Sequence, residues 1–200
     1  MGFGVWGLGF GPPVPAPPLV EEGDDDGVER GLQLIGALSF EPEGGAFAER
    51  FADATAGLGA EERRLVGRGS YLVNSISDCG NCHTDGNGDG GFDSGLLPGS
   101  FNVNVEAYMA GGVNIGVFSG FSFPVLSRNL TPHPGSGLRK TQEEFEQIMR
   151  WGVDFKRPGG SLRVEPHFPA EFRFSEDDLK AVYAFLTAIP AIDKSIEIVE

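Results

Sequence analysis

Cysteine is almost missing from this chain: there are two in 200 residues, three positions apart, so no other thiol competes with that pair. A four-ligand structural zinc site is unsupported, because neither a second Cys pair nor a His-x₃₋₅-His follows. Basic residues are also few, 15 Lys and Arg against 29 Asp and Glu, for a formal net charge of −14. This argues against nucleic acid, whose phosphates attract Lys and Arg. It favours protein partners with a basic docking patch, since complementary charge speeds encounter. No run reaches the roughly 18 apolar residues that a membrane span needs. Residues 1–20 are apolar but rich in Gly and Pro, carry no Lys or Arg, and lack a small-x-small cleavage site. They read as a trimmed or misassigned signal, a terminus that packs on something, or a membrane-proximal tail. No nucleophile elbow or phosphate-binding Gly loop occurs, so hydrolase and kinase chemistry has no support.

What is present is Cys79-Gly80-Asn81-Cys82-His83. Cys-x-x-Cys-His is the attachment pattern of a c-type haem. Two thiols three positions apart, on a turn leaving a helix, can add across the two vinyl groups on one porphyrin edge. The adjacent imidazole is then held under the ring, with its Nε2 facing the iron. A thioredoxin-like pair would need a βαβ context and has no use for the histidine. Thioether attachment follows export, so the motif places the protein in the periplasm or otherwise outside the cytoplasm, with membrane association open.

Residues 1–27 form a Gly/Pro-rich arm ending in the acidic run Glu21–Asp26, a solvated linker. Residues 28–59 are an N-terminal extension with helical spacing around 28–38 and 45–56, carrying Leu32, Ile35, Leu38, Phe40, Phe47 and Phe51. From Ala60, Glu61 and Glu62 open a helix whose apolar stripe, Leu65, Val66, Tyr71, Leu72 and Ile76, leads towards Cys79. A Gly-punctuated insertion, 84–140, carries strand-like pieces at Phe101–Val105 and Val113–Phe118. Thr141-Gln142-Glu143-Glu144 is a capping box ahead of Phe145, Ile148, Met149 and Trp151. Ser175-Glu176-Asp177-Asp178 starts a last helix with Leu179, Val182, Tyr183 and Leu186 on its buried face, ended by Pro190. Residues 193–200 read as a tail.

This layout, with Arg68–Val73, Asp78–Thr84, Ser127-Arg128-Asn129-Leu130-Thr131-Pro132, Thr141–Phe145 and Asp177–Leu186, resembles the class I monohaem cytochromes c. More narrowly, it resembles the haem domains of cytochrome c subunits of membrane-bound periplasmic dehydrogenases. The resemblance covers about 60–192. It implies a mainly α, cytochrome c-like helical domain in which the first and last helices cross, with Gly69 and Tyr71 near Tyr183. It also implies that Arg128 and Asn129 approach a haem propionate, a turn before Pro132 being the equal alternative, and that partners include a membrane-bound or multi-subunit complex.

The resemblance further implies a methionine followed by proline, before the last helix, on the far side of the iron. This chain has Leu162-Arg163-Val164-Glu165-Pro166-His167-Phe168-Pro169 there. His167 is therefore the expected distal ligand. Met109 is next, a vacant site is a third case, Met149 is expected in the core and His133 in a surface turn. Imidazole in place of thioether favours ferric iron and lowers the potential. Asp85-Gly86-Asn87-Gly88-Asp89-Gly90 matches the first half of an EF-hand loop, but position 12 is Leu96, so a polar surface loop is the better reading than a Ca²⁺ site. Trp151 and the phenylalanines 118, 121 and 123 are expected to pack in the haem pocket and core. The function expected is single-electron transfer by one haem c, without enzyme activity. The alternatives are a peroxidase-like five-coordinate haem enzyme, or a polymeric redox assembly docking through the arm.

Overall fold

The computed structural model describes residues 44–91, 95, 103–116, 124–154, 160–161 and 174–194. The arm at 1–27, the helix expected over 28–38, the three phenylalanines 118, 121 and 123, and His167 lie outside the described residues. The mainly α architecture expected from the sequence is what the described residues adopt.

Helix α1 (Gly44–Thr55) falls within a residue or so of the helix expected over 45–56. Phe47 and Phe51, one turn apart, are buried on it. Helix α2 (Ala60–Tyr71) begins where Glu62 accepts a hydrogen bond from the Gly59 amide at 2.8 Å. It continues into a π-helical turn, Leu72–Ile76, sealed by the Ser77 amide on the Leu72 carbonyl at 2.9 Å. That five-residue closure shifts the helical phase. The expected stripe is split: Val66 and Leu72 are buried, as is Val73 beside them, whereas Tyr71 and Ile76 face outward. Helix α3 (Cys79–His83) is a single turn.

Helix α4 (Gln142–Trp151) has the expected capping box, Thr141 accepting from Glu144 and Glu144 from Thr141. Helix α5 (Glu176–Ala188) has its counterpart in Ser175 and Asp178. Leu179, Ala181, Val182, Phe185 and Leu186 of α5 are buried, mostly against α2. The crossing is close because Gly69 has no side chain: a Cβ there would stand 2.0 Å from the Ala181 carbonyl oxygen. An ion pair from Arg68 to Asp178 spans the same two helices. Tyr183 turns to α4 rather than to the crossing, packing its ring on Phe145 at 5.7 Å and donating to the Lys140 carbonyl. Phe51 meets Phe185 edge-on at 5.9 Å and Phe47 meets Tyr108 at 5.3 Å, so α1 forms a wall of the same core.

The strand-like pieces of the insertion are not strands where described. Val105–Ala107 is a 3₁₀ turn, and Asn114 makes an isolated bridge to Leu126. Among the described residues, paired strands are limited to β1 (Val153–Asp154) and β2 (Gly160–Ser161). Trp151, expected in the pocket or core, is 76% exposed.

Candidate functional site

The π turn delivers the chain to Ser77, whose hydroxyl donates to the Leu72 carbonyl at 2.7 Å and lies 3.3 Å from Cys79 Sγ. Asp78 then takes a left-handed conformation, φ 48°, which Asp tolerates because its short side chain bonds locally. Here the Asn81 amide side chain donates to the Asp78 carboxylate. The reversal turns the chain into α3, placing Cys79 and Cys82 on one helical turn, both unbridged and partly exposed. Burial pushes the Cys79 thiol up to about 11, with the Asp78 charge adding to it. Burial and Asp78 raise Cys82 as well. A redox-active thiol pair needs the opposite shift. Among the described residues no group of three or more His, Cys, Asp or Glu is placed to hold a metal ion.

His83 ends α3 with its ring half-buried. Nδ1 lies 2.8 Å from the Arg128 backbone carbonyl. A carbonyl can only accept, so Nδ1 carries the proton and Nε2 is left with its lone pair. Burial lowers the imidazole pKa, against the pull of the Arg128 bond, which keeps the ring in its neutral, ligating form. The acceptor is itself held. Gly111, at φ 72°, packs directly on it, and a Cβ there would meet the Arg128 carbonyl carbon at 2.4 Å. The Gly111 amide donates back to the His83 carbonyl at 2.8 Å. Two thiols on one turn beside an imidazole of fixed tautomer suit the covalent attachment and axial ligation of a haem.

The other expected site residues are distributed as follows. Arg128 supplies its carbonyl to His83. Asn129, offered to a propionate by the resemblance, is buried and fully engaged within the protein. Its Nδ2 donates to the Ile192 carbonyl and Ser136 hydroxyl, and its Oδ1 accepts from the Thr131 amide and hydroxyl. Met109 is buried in the core at φ 57°, with its amide donating to Thr84 Oγ1. Its backbone is thus tied to the residue that follows His83. Met149 is partly buried against the core, and His133 sits in a turn with Nδ1 accepting from the Ser136 amide. Asp85 accepts from the Gly88 and Gly90 amides and from Lys194 Nζ at 2.9 Å. Burial raises its carboxyl, but Lys194 and those amides outweigh it and hold it below the ordinary value. An ammonium thus already pairs with the first oxygen donor of the EF-hand-like loop, and Asp93 and Leu96 lie outside the described residues.

Two participants had no signal in the sequence. The Arg128 carbonyl is a group that every residue carries, and Lys194 pairs with a carboxylate 109 positions earlier.

No protein-family model matches the chain. It is 30% identical over 125 residues, 62% of its length, to the cytochrome c subunit of a quinone alcohol dehydrogenase from Gluconobacter oxydans strain 621H, covering 21% of that protein. It is 29% identical over 133 residues to the cytochrome subunit of fructose dehydrogenase from Gluconobacter japonicus, 66% of this chain and 23% of that one. Over 142 residues it is 28% identical to the cytochrome c subunit of gluconate 2-dehydrogenase from Pantoea cypripedii, 68% of this chain and 29% of that one. The chain therefore spans between a fifth and three tenths of the length of these relatives.

Proposed function

We propose that this chain is a single-electron carrier with one covalently attached haem c, working outside the cytoplasm beside a dehydrogenase. The observation that carries the reading is the 2.8 Å bond from His83 Nδ1 to the Arg128 carbonyl, one turn from two free thiols. Cys79 and Cys82 supply the two thioether links, and His83 Nε2 is the proximal donor. When bound, the haem supplies a ferric–ferrous couple in the range that its axial ligands set. The protein's own part is to keep the Nδ1 proton on His83, to exclude water with the core around Met109 and Tyr108, and to present an acidic surface. With a net charge of −14, that surface suits a partner with a basic docking patch. Three relatives being cytochrome subunits of dehydrogenases supports a place in a multi-subunit redox complex.

His167 is the distal ligand in this reading, because the segment before α5 holds no methionine and His167 stands one residue past Pro166. Met109 is the poorer candidate: its amide bonds to Thr84, next to His83, and a distal ligand must reach the opposite face. Attachment through thioethers places the protein outside the cytoplasm. No helix among the described residues is long and apolar enough to cross a membrane.

The test is expression with a cytochrome c maturation system, followed by a haem stain on a denaturing gel. Haem should stay with the chain, and a Cys79→Ala, Cys82→Ala double variant should lose it. Absence of covalent haem in the wild type overturns the reading. The reduced wild type should not bind carbon monoxide, whereas His167→Ala should. Carbon monoxide binding by the wild type would indicate an open site and a haem enzyme instead.

A further inference from the structure

We propose that Ile192–Lys194, the segment just beyond α5, is a strap that positions the His83 imidazole by holding its hydrogen-bond acceptor in place. This rests on the haem reading above. The strap grips both pieces of chain whose contact defines the ring. On one side is the loop that carries the Arg128 carbonyl. Asn129 Nδ2 donates to the Ile192 carbonyl at 2.8 Å, the Ile192 amide donates to Thr131 Oγ1 at 3.2 Å, and the Lys194 amide donates to Ser136 Oγ at 3.2 Å. On the other side is the segment leaving α3, where Lys194 Nζ bonds Asp85, two residues beyond His83. Thr131 and Asp85 are almost completely buried, while Ile192 and Lys194 are half-buried, so these bonds are partly shielded from competing water.

The chemistry follows from what the Nδ1 bond does. A firmly held acceptor draws the proton from Nδ1 and makes Nε2 the stronger donor, which favours ferric iron and a lower potential. A strap that lets the Arg128 carbonyl drift weakens that donation and raises the potential. Thr131 is thus a positioning residue: its hydroxyl bonds Asn129 and Ile192 rather than His83, and it acts through the loop.

Thr131→Val tests this without changing charge, which removing Lys194 would not. In the haem-loaded full chain, Thr131→Val should raise the ferrous-to-ferric ratio at the wild-type midpoint about threefold, ~28 mV at 59 mV per tenfold for one electron. It should also speed exchange of the His83 Nδ1 proton, followed by NMR, and Thr131→Ser should restore both. Thr55→Val, which removes another buried hydroxyl bonded to a backbone carbonyl (Phe51), serves as the stability control. A Thr131→Val protein that loses stability like the control, with potential and exchange unchanged, overturns the strap. If Thr131→Val does not fold, Ser136→Ala decides by the same two readouts. Failure of the wild type to carry haem is a separate result and overturns the electron-carrier reading itself.

Discussion

Replacing Gly69 by Ala should open the crossing of α2 and α5, and the size of the effect can be worked from the contact. A Cβ at residue 69 would lie 2.0 Å from the Ala181 carbonyl oxygen, 2.7 Å from its carbon and 2.7 Å from Phe185 Cβ. Two of these are backbone atoms of a helix, so no rotamer change relieves them. Bringing the closest pair to an ordinary contact needs the helices to part by roughly 1–1.5 Å locally. Overpacking of this kind costs about 1–3 kcal/mol, and the rigid partner places it at the upper end. Alanine in a helix returns about 1 kcal/mol relative to glycine. The net expectation is a loss of ~2 kcal/mol, read as a lower urea midpoint at unchanged slope. Gly57→Ala is the comparison, because nothing stands within 4 Å of its Cβ position, so stability should stay within about 0.5 kcal/mol of wild type or rise slightly. A Gly69→Ala protein as stable as wild type would refute the reasoning, since helix propensity would then outweigh the crossing.

Phe185→Ala should cost about 3–5 kcal/mol, because the ring is completely buried between α1 and α2 and the site cannot collapse around a gap that large. A loss below about 1 kcal/mol in chemical denaturation would contradict that packing. Asp178 gives a pH prediction. Burial raises its carboxyl, but hydrogen bonds from Arg68 and Ser175 outweigh it and hold it below its ordinary 3.8. The unfolded chain then takes up this proton at higher pH than the folded one, so the stabilisation is complete above that value and drains away as pH falls through the folded one. Wild type should exceed Asp178→Asn in stability at neutral pH, with the gap closing below about pH 4. A gap that persists into strong acid would count against the pair.

The parts of this fold that could be read in advance are those whose cause is local. Thr141 with Glu144, and Ser175 with Asp178, satisfy helix ends within three residues, so both helix starts fell where the capping boxes put them. Phe47 and Phe51 announced α1 by their spacing alone. The Cys79–His83 motif fixed which side chains to examine, but not what steadies them. The π turn has no composition of its own, and through it Leu72 and Val73 go in while Ile76 faces outward. The apolar pieces around 101–105 and 113–118 have the side chains of strands, yet a strand needs a partner. Where described, they form a 3₁₀ turn and isolated bridge residues at Val103 and Asn114. Asn129 was singled out by the resemblance alone, whereas its bonds, to Ile192 and Thr131, join positions far apart in the chain or depend on a turn.

The wall that α1 contributes bears on where this chain can be cut. The helix expected to open the haem domain starts at Ala60, which invites excision there. Such a piece would leave Phe51 behind while keeping Phe185, and leave Phe47 behind while keeping Tyr108. Each buried phenyl contributes about 1.5–3 kcal/mol, so the pair represents a large share of the 5–15 kcal/mol typical of a whole domain. A transferable module of this chain therefore begins ahead of Gly44, and α1 travels with the Cys79–His83 motif as a single inheritable unit.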